Sequence, residues 1–132
     1  MITYTGWSDQ TINPFASVGN YENLLRAFGP ALETSYRLFM VPGMTHCAGG
    51  VGPDTLDPIT PVINWVERGI VPNTLLARKL DSAGLNVLFA RNLCPYPTEA
   101  KYLGSGDPNN ASSFRCVPGL TGVRYVHVLL NP

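Results

Sequence analysis

"YRLFMVPGMTHCAGGVGP", residues 36–53, decides the fold of this 132-residue chain. Its first part, "YRLFMVPG" (36–43), is a compact apolar run ended by Pro-Gly. Such a run fits a fully buried strand of a parallel sheet. Its second part puts His46 beside Cys47 between two glycine-rich turns. Upstream, from Pro14, the residues Phe15, Val18, Tyr21, Leu24, Leu25 and Phe28 recur at spacings of three and four. That spacing predicts an amphipathic helix, opened by Asn13 and Pro14 and stopped by Gly29-Pro30. Before it, "MITYTGW" reads as a short strand and "SDQTINP" as turn chemistry. Strand, helix, strand is the order of a βαβ unit.

Downstream, Ile59, Val62, Ile63 and Val66 return at helical spacing, with Glu67 and Arg68 at the end and Gly69 as the left-handed stop. "NTLLARKL" and "NVLFARNL" read as two strands of a hairpin joined by "DSAG". The last third is turn-rich. Cys94 and Cys116 bracket it, and a bond between them would staple a loop that cannot build its own core. Trp65, on the second helix, is expected in the core, whereas Trp7 could line a site for aromatic acids.

The composition bounds the function. Hydrophobic residues make up 45%, charged residues 14%, and the formal net charge is zero. There is no basic stripe of the kind a nucleic-acid partner needs, and no apolar run near the roughly 20 residues of a membrane span. The opening residues show no basic region followed by an apolar stretch, the pattern of a signal peptide. The two histidines, His46 and His127, are far apart and no Cys-x-x-Cys pair occurs, which argues against a zinc site. His127 sits in an alternating pattern and reads as a strand residue.

Two loops that follow parallel strands carry Asp9 and His46. In open α/β sheets reactive groups gather at the carboxyl ends of the strands. An acid after one strand and a histidine after the next is the tail of the order Ser…Asp…His. The plainer readings stay open at this point. An aspartate in a strand-to-helix turn commonly caps or forms an Asx-turn, and a histidine in a glycine-rich loop can be merely polar. Asp54, Asp57 and Asp107 lie in turns, where carboxylates bond backbone N–H groups. Their spacing gives no EF-hand support.

"GWSDQTI", "YRLFMVPGMTHCAGGVGP", "VINWVERGIVPNTLLA" and "RNLCPYPTEAKYLGSGDPNNASSFRC" together resemble the C-terminal part of the tannase and feruloyl esterase family, from about residue 4 to residue 117. The resemblance implies an α/β fold: the C-terminal portion of an α/β-hydrolase core, with strand-helix-strand-helix, a hairpin and a disulfide-stapled loop. Residues 1–117 would be that part of the catalytic domain, and 118–132 a tail that does not match. It implies hydrolysis of aromatic esters, feruloyl or galloyl, by a secreted enzyme. It makes Asp9 the triad acid and His46 the triad base. It pairs Cys94 with Cys116, and gives Cys47 a disulfide partner immediately before the nucleophilic serine.

That serine has no counterpart here. Only eight residues precede Asp9, and no Gly-x-Ser-x-Gly occurs. The nearest lookalike, Ser105 in "LGSGD", lies in a turn-rich loop rather than on a strand-to-helix elbow. The oxyanion donors and the lid, with the family's calcium site, would also lie outside this segment, so no cofactor is expected in it. The expectation is a segment with acid and base but no nucleophile, inactive alone and without nucleic-acid or membrane partners. The alternative is a non-catalytic binding remnant or a non-functional truncated product. Isolated strands, "YRLFMV" above all, are expected to expose an apolar face and an unpaired edge.

Overall fold

The computed structural model of the chain describes residues 1–119. The tail beyond them, with His127, lies outside the described residues. The chain opens with β1 (Ile2–Gly6), α1 (Pro14–Phe28) and β2 (Arg37–Val41), and β1 and β2 pair in parallel with Tyr4 opposite Phe39. This is the βαβ unit the sequence pattern predicts. α1 starts where Asn13 accepts the Phe15 N–H and Pro14 fills the first turn. It stops at Gly29, whose left-handed backbone returns an N–H to Leu25. A 3-10 turn at Gly29–Thr34 leads into β2.

Period-two alternation along β2 divides the core in two. Tyr36, Leu38 and Met40 pack with Val18 and Tyr21 of α1 and with Tyr96. Phe39 and Val41 point the other way, into a cluster with Met44, Leu75, Ala77 and Leu93. Leu38, Phe39 and Val41 are fully buried. The second cluster is floored by an antiparallel sheet of β3 (Thr55–Leu56), β4 (Leu75–Leu80) and β5 (Val87–Leu93). The expectation that "YRLFMV" would expose an apolar face is therefore wrong. α1 covers one face, the β3–β5 sheet covers the other, and the Tyr96 N–H bonds Leu38 O along the second edge at 2.7 Å. Among the described residues β1 pairs with β2 alone.

α2 (Ile59–Arg68) forms where predicted and ends at left-handed Gly69, but none of its residues is buried. Ile59, Ile63 and Val66 face solvent, Val66 at 81% exposure. Trp65, expected in the core, is only half-buried and belongs to neither cluster. The turn-rich last third contains two strands that turn chemistry concealed, β6 (Thr98–Tyr102) and β7 (Phe114–Pro118), paired antiparallel. A disulfide joins Cys94 to Cys116, as the sequence reading expected.

Candidate active site

Gly6 ends β1 and determines how closely the two reactive loops can approach. A Cβ there would lie 2.1 Å from Met44 O, so only glycine lets the turn after β1 rest on the loop after β2. The next two N–H groups stitch the loops together: Trp7 donates to Val41 O at 2.9 Å and Ser8 to Met44 O at 3.0 Å. Met44, 1% exposed, anchors the second loop in the core beneath them. The position of Asp9 relative to His46 thus follows from backbone hydrogen bonds and one buried side chain.

Asp9 uses its two carboxylate oxygens differently. Oδ1 accepts the N–H groups of Thr11 and Ile12, at 2.8 and 2.9 Å. Oδ2 lies 2.9 Å from His46 Nδ1. The plain Asx-turn reading and the pairing with histidine hold together, because the turn orients the carboxylate that the imidazole meets. The Asp9 side chain is 5% exposed, against 48% for His46. The Ile12 N–H holds the Asp9 carboxyl below its ordinary pKa; desolvation opposes this, and the bonds from His46 and Thr11 add to it. An ionised acceptor at Nδ1 makes that nitrogen the donor and leaves the Nε2 lone pair available. Among the described residues Nε2 has no hydrogen-bond partner.

The loop that carries His46 is tightly wound. Thr45 N–H donates to Gly49 O at 3.2 Å and Ala48 N–H to His46 O at 2.8 Å. Between them Cys47 takes a left-handed backbone, φ +61°, which a non-glycine residue rarely adopts. Its thiol is free and exposed. At the base of the loop a Cβ on Gly52 would come 1.8 Å from Pro42 O, so the returning chain crosses directly over Pro42.

The other candidates separate cleanly. Asp57 bonds the Ile59 and Thr60 N–H groups and Asp107 the Asn109 N–H, as turn carboxylates do. Asp54, read from sequence as another of these, accepts the Gly49 N–H of the histidine loop and pairs with Lys79 of β4. Lys79 has no sequence signal, because its partners are remote in the chain. Ser105 sits between two left-handed glycines in the loop after β6, away from any strand-to-helix turn. Trp7 is partly buried against the α1 cluster, with its ring 5.5 Å from that of Phe15. It also lines a depression of about 410 Å³ with Met40, Phe89, Arg91 and Phe114, which neither Asp9 nor His46 borders.

Fold and site together define an α/β protein with an oriented carboxylate–imidazole pair at the carboxyl ends of two parallel strands. Its residues 1–117 match the family described as "Tannase and feruloyl esterase", and the chain belongs to that family. Among its relatives, a mono(2-hydroxyethyl) terephthalate hydrolase of Piscinibacter sakaiensis is 43% identical over 117 residues, 88% of this chain and 19% of that protein. A probable feruloyl esterase of Arthroderma benhamiae is 38% identical, over 88% of this chain and 22% of that protein. A solved esterase of Aspergillus oryzae superposes with TM-score 0.79 at 29% identity, covering 88% of this chain and 27% of that one. The chain thus spans about a fifth to a quarter of the length of these relatives.

Proposed function

We propose that this chain supplies the acid and base of a carboxylic ester hydrolase, as the C-terminal portion of an α/β-hydrolase core. The observation that carries the reading is the 2.9 Å contact between His46 Nδ1 and Asp9 Oδ2, each residue following a parallel strand. With Nδ1 committed to Asp9, His46 Nε2 takes the proton of a serine hydroxyl as it attacks the ester carbonyl. Asp9 stabilises the imidazolium, which then returns the proton to the departing alcohol. The serine comes from sequence outside these 132 residues, which contain no Gly-x-Ser-x-Gly. The Cys47 thiol, exposed on the residue after the base, pairs with a cysteine beside that serine and fixes the two loops together.

Aromatic carboxylic esters are the substrate class, in keeping with the names of the relatives. The Cys94–Cys116 bond and the family favour an oxidising, extracellular setting. Triad members act as a unit, so the chain alone hydrolyses no aromatic ester at a rate that depends on His46. A chimera tests the reading: residues 1–117 replace the matching segment of the terephthalate hydrolase relative. That chimera should hydrolyse the relative's ester while the isolated chain does not. A folded but inactive chimera, or His46-dependent turnover by the chain alone, would refute the proposal.

A further inference from the structure

The loop bearing His46 is held from two directions, and only one of them is the Asp9 side. On the other, Asp54 Oδ2 accepts the Gly49 N–H at 2.8 Å, three residues beyond His46. Lys79 Nζ donates to Gly50 O at 2.8 Å and lies 3.2 Å from the same Asp54 oxygen. Asp54 is itself fixed to β4, its N–H bonding Arg78 O at 3.1 Å. We infer that Asp54 and Lys79 are positioning residues for His46, a clamp that ties two adjacent residues of its loop, Gly49 and Gly50, to β4. The inference rests on reading His46 as the base.

An ion pair on a protein surface ordinarily does little, because both side chains must be ordered for a screened attraction. This pair differs in that each partner also binds loop backbone. Both side chains are about four-fifths buried, with 20% of Lys79 and 18% of Asp54 exposed. Burial acts to raise the Asp54 pKa, yet the Gly49 N–H and Lys79 outweigh it and hold the carboxyl below its ordinary value. The loop needs such a hold. Cys47 keeps a left-handed backbone, and such conformations persist only where the surroundings over-determine them. Released from β4, the segment could relax at Cys47 and swing the adjacent imidazole off Asp9.

Nuclear magnetic resonance on the intact 132-residue chain reads this without any catalytic assay. The variants are Asp54→Ala and Lys79→Met, with Asp57→Ala, in the turn before α2, as the control carboxylate. In each clamp variant the Gly49 amide should exchange about tenfold faster or more, the effect of losing a hydrogen bond to a charged group. The His46 ring nitrogens should shift from the Nδ1–H tautomer that Asp9 favours toward the Nε2–H form of a free imidazole. The Thr11 and Ile12 amides should stay unchanged, and Asp57→Ala should leave the Gly49 exchange and the His46 tautomer as they are. If Asp54→Ala does not fold, Lys79→Met carries the test, since it keeps the methylene stem and the strand. An unmoved His46 tautomer in a folded clamp variant overturns the inference, whether or not Gly49 exchange accelerates. Failure of the hydrolase reading would show instead as an inactive chimera, with the tautomer shift intact.

Discussion

At Asp9, one carboxylate oxygen belongs to the local turn and the other to His46, so local folding and site chemistry are one event. Asp9→Asn in the chimera should keep the turn but present the wrong tautomer to serine, with kcat falling about ten-thousand-fold. A chimera in which Asn at this position costs less than tenfold would remove Asp9 from the mechanism. Its depressed pKa also sets a stability window. Asp9, Asp54, Asp57 and Asp81 all titrate below the ordinary 3.8 in the folded chain. Below pH about 5 the unfolded chain therefore binds more protons than the folded one, and stability falls as pH falls. Denaturant midpoints of the chain should fall as pH falls from about 5 to about 3. Asp9→Asn should drop less steeply, and an equal slope would contradict that contribution. Gly6→Ala is the sharpest steric test. Its Cβ meets Met44 and Thr45 carbonyls, which are backbone and cannot rotate away. It should lower stability by about 1–3 kcal/mol or more, the usual range for overpacking, and disturb the His46 ring resonances.

Among the elements, β2 carries the architecture because its two faces feed two clusters. Leu38→Ala and Phe39→Ala should each destabilise the chain by about 3–5 kcal/mol in chemical denaturation, one through each cluster. Little loss at either position would mean that its cluster is not the core described. α2 makes the opposite prediction. Val66→Lys should change stability by less than about 0.5 kcal/mol, because that side chain touches no core. The contrast explains what was legible in the residues. β1, α1 and β2 announce themselves through runs, periodicity and caps, all local signals. The apolar stripe of α2 is equally plain, but periodicity reports that a face is apolar and not whether anything in the chain covers it. β6 and β7 were hidden because "TEAKY" and "FRCVP" are largely exposed and lack an apolar alternation. Their pairing rests on a backbone ladder, and the Cys94–Cys116 bond ties β7 to the residue after β5. The nearness of Asp9 and His46 is legible from their places after adjacent strands, whereas Asp54 and Lys79 share no motif.

Across the whole molecule, two parallel strands, a helix and an antiparallel sheet hold the Asp9–His46 pair in place. The Cys94–Cys116 bond closes a segment with a sequence separation of 22, and a loop of that size is worth roughly 3 kcal/mol by chain entropy. The double substitution to Ala should lower the denaturant midpoint accordingly while leaving the His46–Asp9 contact intact. A lost His46–Asp9 contact would show that the stapled segment supports the site directly. We propose that His46 is the base of an ester hydrolase whose nucleophile lies elsewhere. That role is tested most directly by kcat of the His46→Ala chimera on the ester of the terephthalate hydrolase relative. That kcat should fall by about a thousandfold or more, with substrate still bound. Activity within tenfold of the parent chimera would contradict it.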